Sequence, residues 1–246
     1  MNFYRLRDQI KQWLRYRQPT RMQREVLGLY TDSIDTELTA ARLASETSAK
    51  YVTTHMRTTK NFAYDYDFHE DIVTELDPGL RQQGLILEFG VATGRTLNHW
   101  ARLLPEKTIH GFDVFTGLPE DWRSRFARGT FAQPLPRIRK TCQLHVGLFE
   151  DTLPDFVETN PQPVALLHVD CDLYSGAKTI LRQLNHQLVT GTIVVFDEYL
   201  NYPGWEMDEF RAWQDFCSIN YVKYEYISRV SRHQQVALRI TGRPEF

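Results

Sequence analysis

The stretch "LLHVDCDLY", residues 166–174, is apolar as far as Val169 except for His168, and then sets two aspartates two residues apart. A near-continuous apolar run is how a strand covered on both faces of a parallel sheet reads. A run of this kind that ends on carboxylates faces the crevice where ligands of open α/β sheets bind. On an extended strand Asp170 and Asp172 point the same way, with Cys171 opposite. His168 shares their parity and reads first as a satisfied core histidine.

Working outward, the same design recurs. "LILEFG" (85–90), "TIHGFDVF" (108–115), "QLHVGLF" (143–149) and "GTIVVFDEY" (191–199) are four more short apolar strands, each ending in polar residues or a turn. Helical spacing separates them: Leu97, Trp100, Ala101 and Leu104 before Pro105, and Ala177, Leu181, Leu184 and Leu188 after the acidic pair. Strands alternating with helices mean a mostly parallel sheet with helices on both faces. In the tail, Val222, Tyr224 and Tyr226 alternate, as do Val236, Leu238 and Ile240, so antiparallel strands should close the sheet. Upstream, residues 34–58 and 68–76 read as helices, and Phe3, Leu6, Ile10 and Leu14 place another in the basic N-terminal stretch. The expected division is an N-terminal helical segment or cap over residues 1–80 and one α/β domain over residues 81–246.

Composition bounds the function. Net charge is −2 over 246 residues, which points to neither nucleic acid nor an anionic membrane. No apolar run spans a bilayer, and no secretory core follows Met1. The three cysteines, Cys142, Cys171 and Cys217, are scattered and odd in number, which fits a reducing compartment and no disulfide or zinc framework. A cytoplasmic location is expected.

Two constellations carry chemistry. The loop "EFGVATGRT" (88–96) joins the first strand of the domain to its helix, with Gly90 and Gly94 four apart and Ala92 where a dinucleotide loop has its middle glycine. Asp113 ends the next strand, where a carboxylate accepts ribose hydroxyls. Together they point to an adenosine-containing ligand without pyrophosphate. The second constellation is acidic: Asp170, Asp172, Asp197 and Glu198 end neighbouring strands. Such a cluster needs a cation, a proton or a basic side chain to offset its repulsion, and oxygen donors suit Mg²⁺, Mn²⁺ or Ca²⁺. A solvated acidic rim is the plainer alternative.

The segments "EFGVATGRT", "GFDVFTGLPEDW", "GLFEDTLP", "LLHVDCDLYSGAKTIL" and "IVVFDEYLNYPGWE", in this order, resemble the TylF/MycF group of class I S-adenosylmethionine-dependent O-methyltransferases. The resemblance covers about residues 84–215, with a weaker likeness in "AKYVTTHMRTTK" (49–60). It implies a Rossmann-like class I methyltransferase fold with a reversed C-terminal strand, and methylation of sugar hydroxyls on bacterial natural products with Mg²⁺ or Mn²⁺. By position it implies that Glu88, Gly90 and Gly94 form the methionine-end pocket. It puts Asp113 on the ribose with Phe115 beside it. Phe149, Glu150 and Asp151 would frame the adenine, Asp170, Asp197 and Glu198 would hold the metal, and Asp172 would be the general base. The family shows two aspartates where this chain has Asp197 and Glu198, and glutamate reaches one methylene further. Aromatic residues (Phe62, Tyr64, Tyr66, Trp122, Tyr199, Tyr202 and Trp205) are expected on the acceptor side. The basic run from Arg123 to Lys140 faces either an anionic acceptor or solvent. A catechol-type or other small-molecule methyltransferase, and a non-catalytic protein that binds cofactor or partner, are the rival readings. A homo-oligomer is expected from the N-terminal helices.

Overall fold

A computed structural model describes residues 35–244. The helix expected over Phe3 to Leu14 lies outside them. Residues 1–43 and 44–246 are two compact units, and the sheet belongs to the second. Its elements, in chain order, are α1 (Thr36–His55, which begins in the first unit), β1 (Lys60–Phe62), α2 (Asp65–Glu75), α3 (Pro78–Gln83), β2 (Leu85–Phe89), α4 (Arg95–Leu103), β3 (Ile109–Asp113), β4 (Cys142–Val146), α5 (Phe149–Thr159), β5 (Val164–Val169), α6 (Tyr174–Gln183), β6 (Ile193–Phe196), α7 (Glu209–Asn220), β7 (Lys223–Val230) and β8 (Val236–Gly242).

Eight strands form one sheet in the order β1-β7-β8-β6-β5-β2-β3-β4. Strands β2 to β6 run parallel, and β8 pairs antiparallel with both β6 and β7, so it is the one reversed strand described. This is the expected mixed α/β sheet of Rossmann-like type. Side-chain alternation assigns the faces. Leu85, Leu87 and Phe89 of β2 pack with Leu167, Val194, Phe196 and the apolar sides of α5, α6 and α7. Ile86, Leu166, Ile193 and Val195 pack on the opposite face with Phe68 and Ile72 of α2 and Leu97 and Trp100 of α4. Both faces are buried, which is why the central strands read as unbroken apolar runs.

Three details depart from the sequence expectation. Between the helices expected over 34–58 and 68–76 the chain forms β1, which pairs in parallel with β7. The antiparallel tail is therefore not the sheet edge, and β1 covers the donors and acceptors that β7 would otherwise expose. Helix α7 was not anticipated. Finally, a short helix, α3, follows Asp77. The Asp77 Oδ1 accepts from the N–H groups of Gly79 and Leu80 at 2.9 and 3.0 Å, capping α3. Asp77→Ala should cost about 1 kcal/mol of unfolding free energy by urea titration, the usual worth of an N-cap. No helix among the described residues is long and apolar enough to cross a membrane.

Candidate active site

Beyond the carboxyl ends of β2 to β6 lies a cavity of about 460 Å³, within the range of small-molecule sites. One end is lined by Gly90, Ala92, Asp113, Phe149 and Glu150, and the other by Asp170, Asp172 and Glu198. The sheet thus brings both constellations to one cavity.

The loop after β2 explains the first end. Gly90 has φ +91°, and a Cβ there would fall 1.6 Å from the Asp170 carbonyl oxygen, so the backbones of the two strand ends touch. Gly94, also left-handed at φ +74°, starts α4 and lies outside the cavity lining. Asp113 ties two loops together: its Oδ2 accepts from Ala92 N–H at 2.8 Å and its Oδ1 from Phe115 N–H at 2.7 Å. A carboxylate has about four lone-pair sites, so two remain for a vicinal diol. Phe115 is buried in the core beside Val91 and Leu97 rather than in the lining. Phe149 is half-buried on the lining, its ring perpendicular to that of Phe89. Glu150 is exposed at the mouth, and Asp151, next on α5, is exposed outside it.

Glu88 takes a different place from the rest. It is fully buried below the cavity, and its Oε2 lies 3.1 Å from His168 Nδ1. Adjacent strands in register put these two side chains on the face shared with Trp100 and His69. His168 Nε2 is 3.8 Å from Asp197 Oδ1. Burial alone would lower the imidazole's pKa, but the carboxylates of Asp197 and Glu88 override it and raise it to about 10. Asp197 shows the converse: burial would raise it, yet His168 and the Gln235 amide, which donates to Oδ1, hold it near 2. For Glu88, burial wins over the His168 bond and the carboxyl is pushed up. His168 thus lies between the two carboxylates, its Nδ1 facing Glu88 and also 3.5 Å from the Trp100 Nε1–H.

At the acidic end, β5 stops at Val169 and the extended parity assumed for Asp170 and Asp172 no longer holds. Asp172 is left-handed, φ +64°, and both aspartates and Cys171 between them line the cavity. Burial, then repulsion from Asp197, pushes the Asp170 and Glu198 carboxyls well up. Asp172 rises to about 7 through burial and Asp197, against a lowering by Arg123. Such a crowd fits a cation. Ligand atoms of His168, Asp170 and Asp197 lie within 4.8 Å of one another. Glu198 is outside that trio, but its Oε2 is buried with no hydrogen-bond partner, as is His168 Nε2. Sequence reasoning missed His168 as a neighbour of the site, and it missed Gln235 and Glu209 entirely. Glu209 carried only a weak signal: an acid opening a helix ordinarily serves the helix dipole from the surface.

The acceptor-side aromatics are also redistributed. Tyr199, Tyr202 and Trp205 are buried core residues, while Tyr64 and Tyr66 are exposed. Trp122 is half-buried, donating from Nε1 to Asp208 Oδ2 at 2.9 Å, with the Arg123 guanidinium 4.0 Å from its ring centroid. Tyr199, Tyr202 and Trp205 each carry a large apolar body that packs inward.

Residues 87–199 match a family model described as a methyltransferase domain. Among solved structures, the calicheamicin methyltransferase CalS11 superposes with a TM-score of 0.56 at 23% identity, over 83% of this chain and 93% of that one. The O-methyltransferase NovP superposes with a TM-score of 0.52 at 20% identity, over 72% and 79%. No curated protein matches the chain. The superpositions and the sheet order together give the chain a Rossmann-like fold, and its residues 87–199, a little under half of its length, are similar to methyltransferase domains.

Proposed function

We propose that the protein transfers a methyl group from S-adenosylmethionine to a hydroxyl of a small molecule, in the manner of natural-product O-methyltransferases. The carrying observation is the single cavity with a diol-accepting carboxylate, Asp113, at one end and Asp170, Asp172 and Glu198 at the other. Gly90 and Ala92 expose backbone to the cofactor, Asp113 takes the ribose hydroxyls, and Phe149 and Glu150 flank the adenine. In this reading Glu88, Gly94, Phe115 and Asp151 shape the pocket from behind or beside the lining. The bound cofactor supplies a methyl group on a sulfonium that leaves readily. Asp172 accepts the hydroxyl proton as the oxygen–carbon bond forms and the sulfur–carbon bond breaks.

Asp170, Asp197 and Glu198 would hold a divalent cation, Mg²⁺ or Mn²⁺, which would lower the acceptor's pKa and orient a vicinal oxygen. The unpartnered Glu198 Oε2 and the close Asp170 and Asp197 oxygens support this placement. Glu198, whose buried Oε2 has no hydrogen-bond partner, would supply the third oxygen. The relation to a calicheamicin methyltransferase and the resemblance to the TylF/MycF group make a glycoside hydroxyl the first acceptor to screen, with catechols as the contrast. Calorimetric titration with S-adenosylhomocysteine, in magnesium and again after EDTA, tests the core of this reading. Micromolar binding is expected. Folded protein that binds none in either buffer would refute it.

A further inference from the structure

Helix α7 opens with two acids that behave unlike ordinary first-turn residues. Glu209 is fully buried. Its side chain leaves the helix and meets the backbone of two other loops. Oε1 accepts from Cys171 N–H at 3.0 Å and Asp172 N–H at 3.1 Å, and Oε2 accepts from Glu198 N–H at 3.2 Å. These amides follow β5 and β6, neighbouring parallel strands in register at Val169 and Phe196. One carboxylate therefore bridges the loops that bear Asp170, Asp172, Asp197 and Glu198. The preceding Asp208 accepts from Trp122 Nε1 and, at 3.3 Å, from the Tyr202 hydroxyl, so the start of α7 is itself held on its other side.

The residue type is informative. Burying a carboxylate among four others is unfavourable, so its retention needs a return. Both of its oxygens accept from backbone donors, so three bonds from one side chain tie the two loops together. Glutamine would relieve the repulsion but offers one acceptor oxygen instead of two. Nor is the cluster merely neutralised by these bonds, since the amides add no net charge. They set where the chain goes. The left-handed turn at Asp172, which aims its carboxylate into the cavity, is pinned at its own N–H.

We propose that Glu209 is a positioning residue: it fixes the Asp172 carboxylate relative to Glu198, and so sets the acceptor end of the cavity. This rests on the methyl-transfer reading above. Misplacement by about 1 Å can cost about 100-fold in rate, so Glu209→Gln should lower kcat by about that factor. S-adenosylhomocysteine affinity should stay within a few-fold, since no Glu209 contact reaches Asp113 or Gly90.

The discriminating readout is site-resolved amide hydrogen exchange, which needs no turnover. In Glu209→Gln one acceptor remains, so exchange should speed up by about tenfold at some of the Cys171, Asp172 and Glu198 amides, and in Glu209→Ala at all three. Amides of β2, β3 and the middle of α7 should stay protected. Unchanged exchange at the three amides overturns the proposal. So does an increase spread evenly over the sheet, which would mark Glu209 as a general stabiliser, or wild-type kcat in the folded glutamine variant. Should the alanine variant fail to fold, the glutamine variant decides alone. Should the wild-type protein methylate no acceptor, the exchange pattern still decides the positioning claim, and the calorimetric titration decides the functional one.

Discussion

Gly90→Ala should leave a protein that is several kcal/mol less stable and has lost its affinity for S-adenosylhomocysteine. The new Cβ would sit 1.6 Å from the Asp170 carbonyl oxygen and 2.6 Å from its carbon. Neither backbone is free to yield. Gly90 N–H donates to Phe112 O at 2.9 Å, and Asp170 N–H donates to Phe89 O at 2.8 Å, so moving either chain breaks a bond of the central sheet. Alanine at positive φ adds roughly 1 kcal/mol of its own, on top of about 1–3 kcal/mol for overpacking. Gly129→Ala separates the two terms, because Gly129 has φ +84° with nothing within 4 Å of its Cβ position. That variant should lose only about 1 kcal/mol and keep its ligand. Urea unfolding and calorimetry on both proteins check this. Equal losses in the two would show that the close approach of β2 to β5 is not what the glycine serves.

Asp172→Asn should depress turnover by about 100- to 10,000-fold, the usual worth of a general base, with cofactor affinity nearly intact. The substitution is mild for the backbone, because asparagine tolerates the left-handed conformation that Asp172 adopts at φ +64°. Its pH profile is the sharper test. Burial and the Asp197 charge raise the Asp172 carboxyl to about 7. A base works when deprotonated, so wild-type kcat should climb with pH through about 7 and then level off. Cation binding next to Asp172 would move that limb to lower pH. The limb should vanish in the asparagine variant. A variant with wild-type turnover, or with the same limb, would remove Asp172 from the role and return attention to Asp170 and Glu198.

Much of this protein was legible without coordinates, for a local reason. A strand buried on both faces must be apolar along its length, and "LILEF", "VALLHV" and "IVVF" show that directly. Strand ends of a parallel sheet converge, so repeated polar residues there mark a cavity before any contact is known. Alternation in the tail likewise foretold β7 and β8 as antiparallel strands. The edge strand β1 was not legible. Three residues of a polar segment become a strand only because β7 offers them unpaired backbone groups. Helix α7 escaped notice, although Ala212, Trp213, Phe216 and Cys217 do form a buried helical face.

The candidate site divides in the same way. Which residue types gather at the strand ends was set by the sequence alone, because spacing and strand length determine it. What each carboxylate does there was decided by the tertiary structure. Glu88 and His168 lie 80 positions apart and meet across two adjacent strands. Gln235 reaches Asp197 from a loop before the reversed strand, and Glu209 bonds three amides 11 to 38 positions away. Local patterns report how a residue faces its own strand or helix. The charge, proton and hydrogen-bond partners of a buried carboxylate depend on groups that only chain folding brings near, and no spacing in the sequence encodes them.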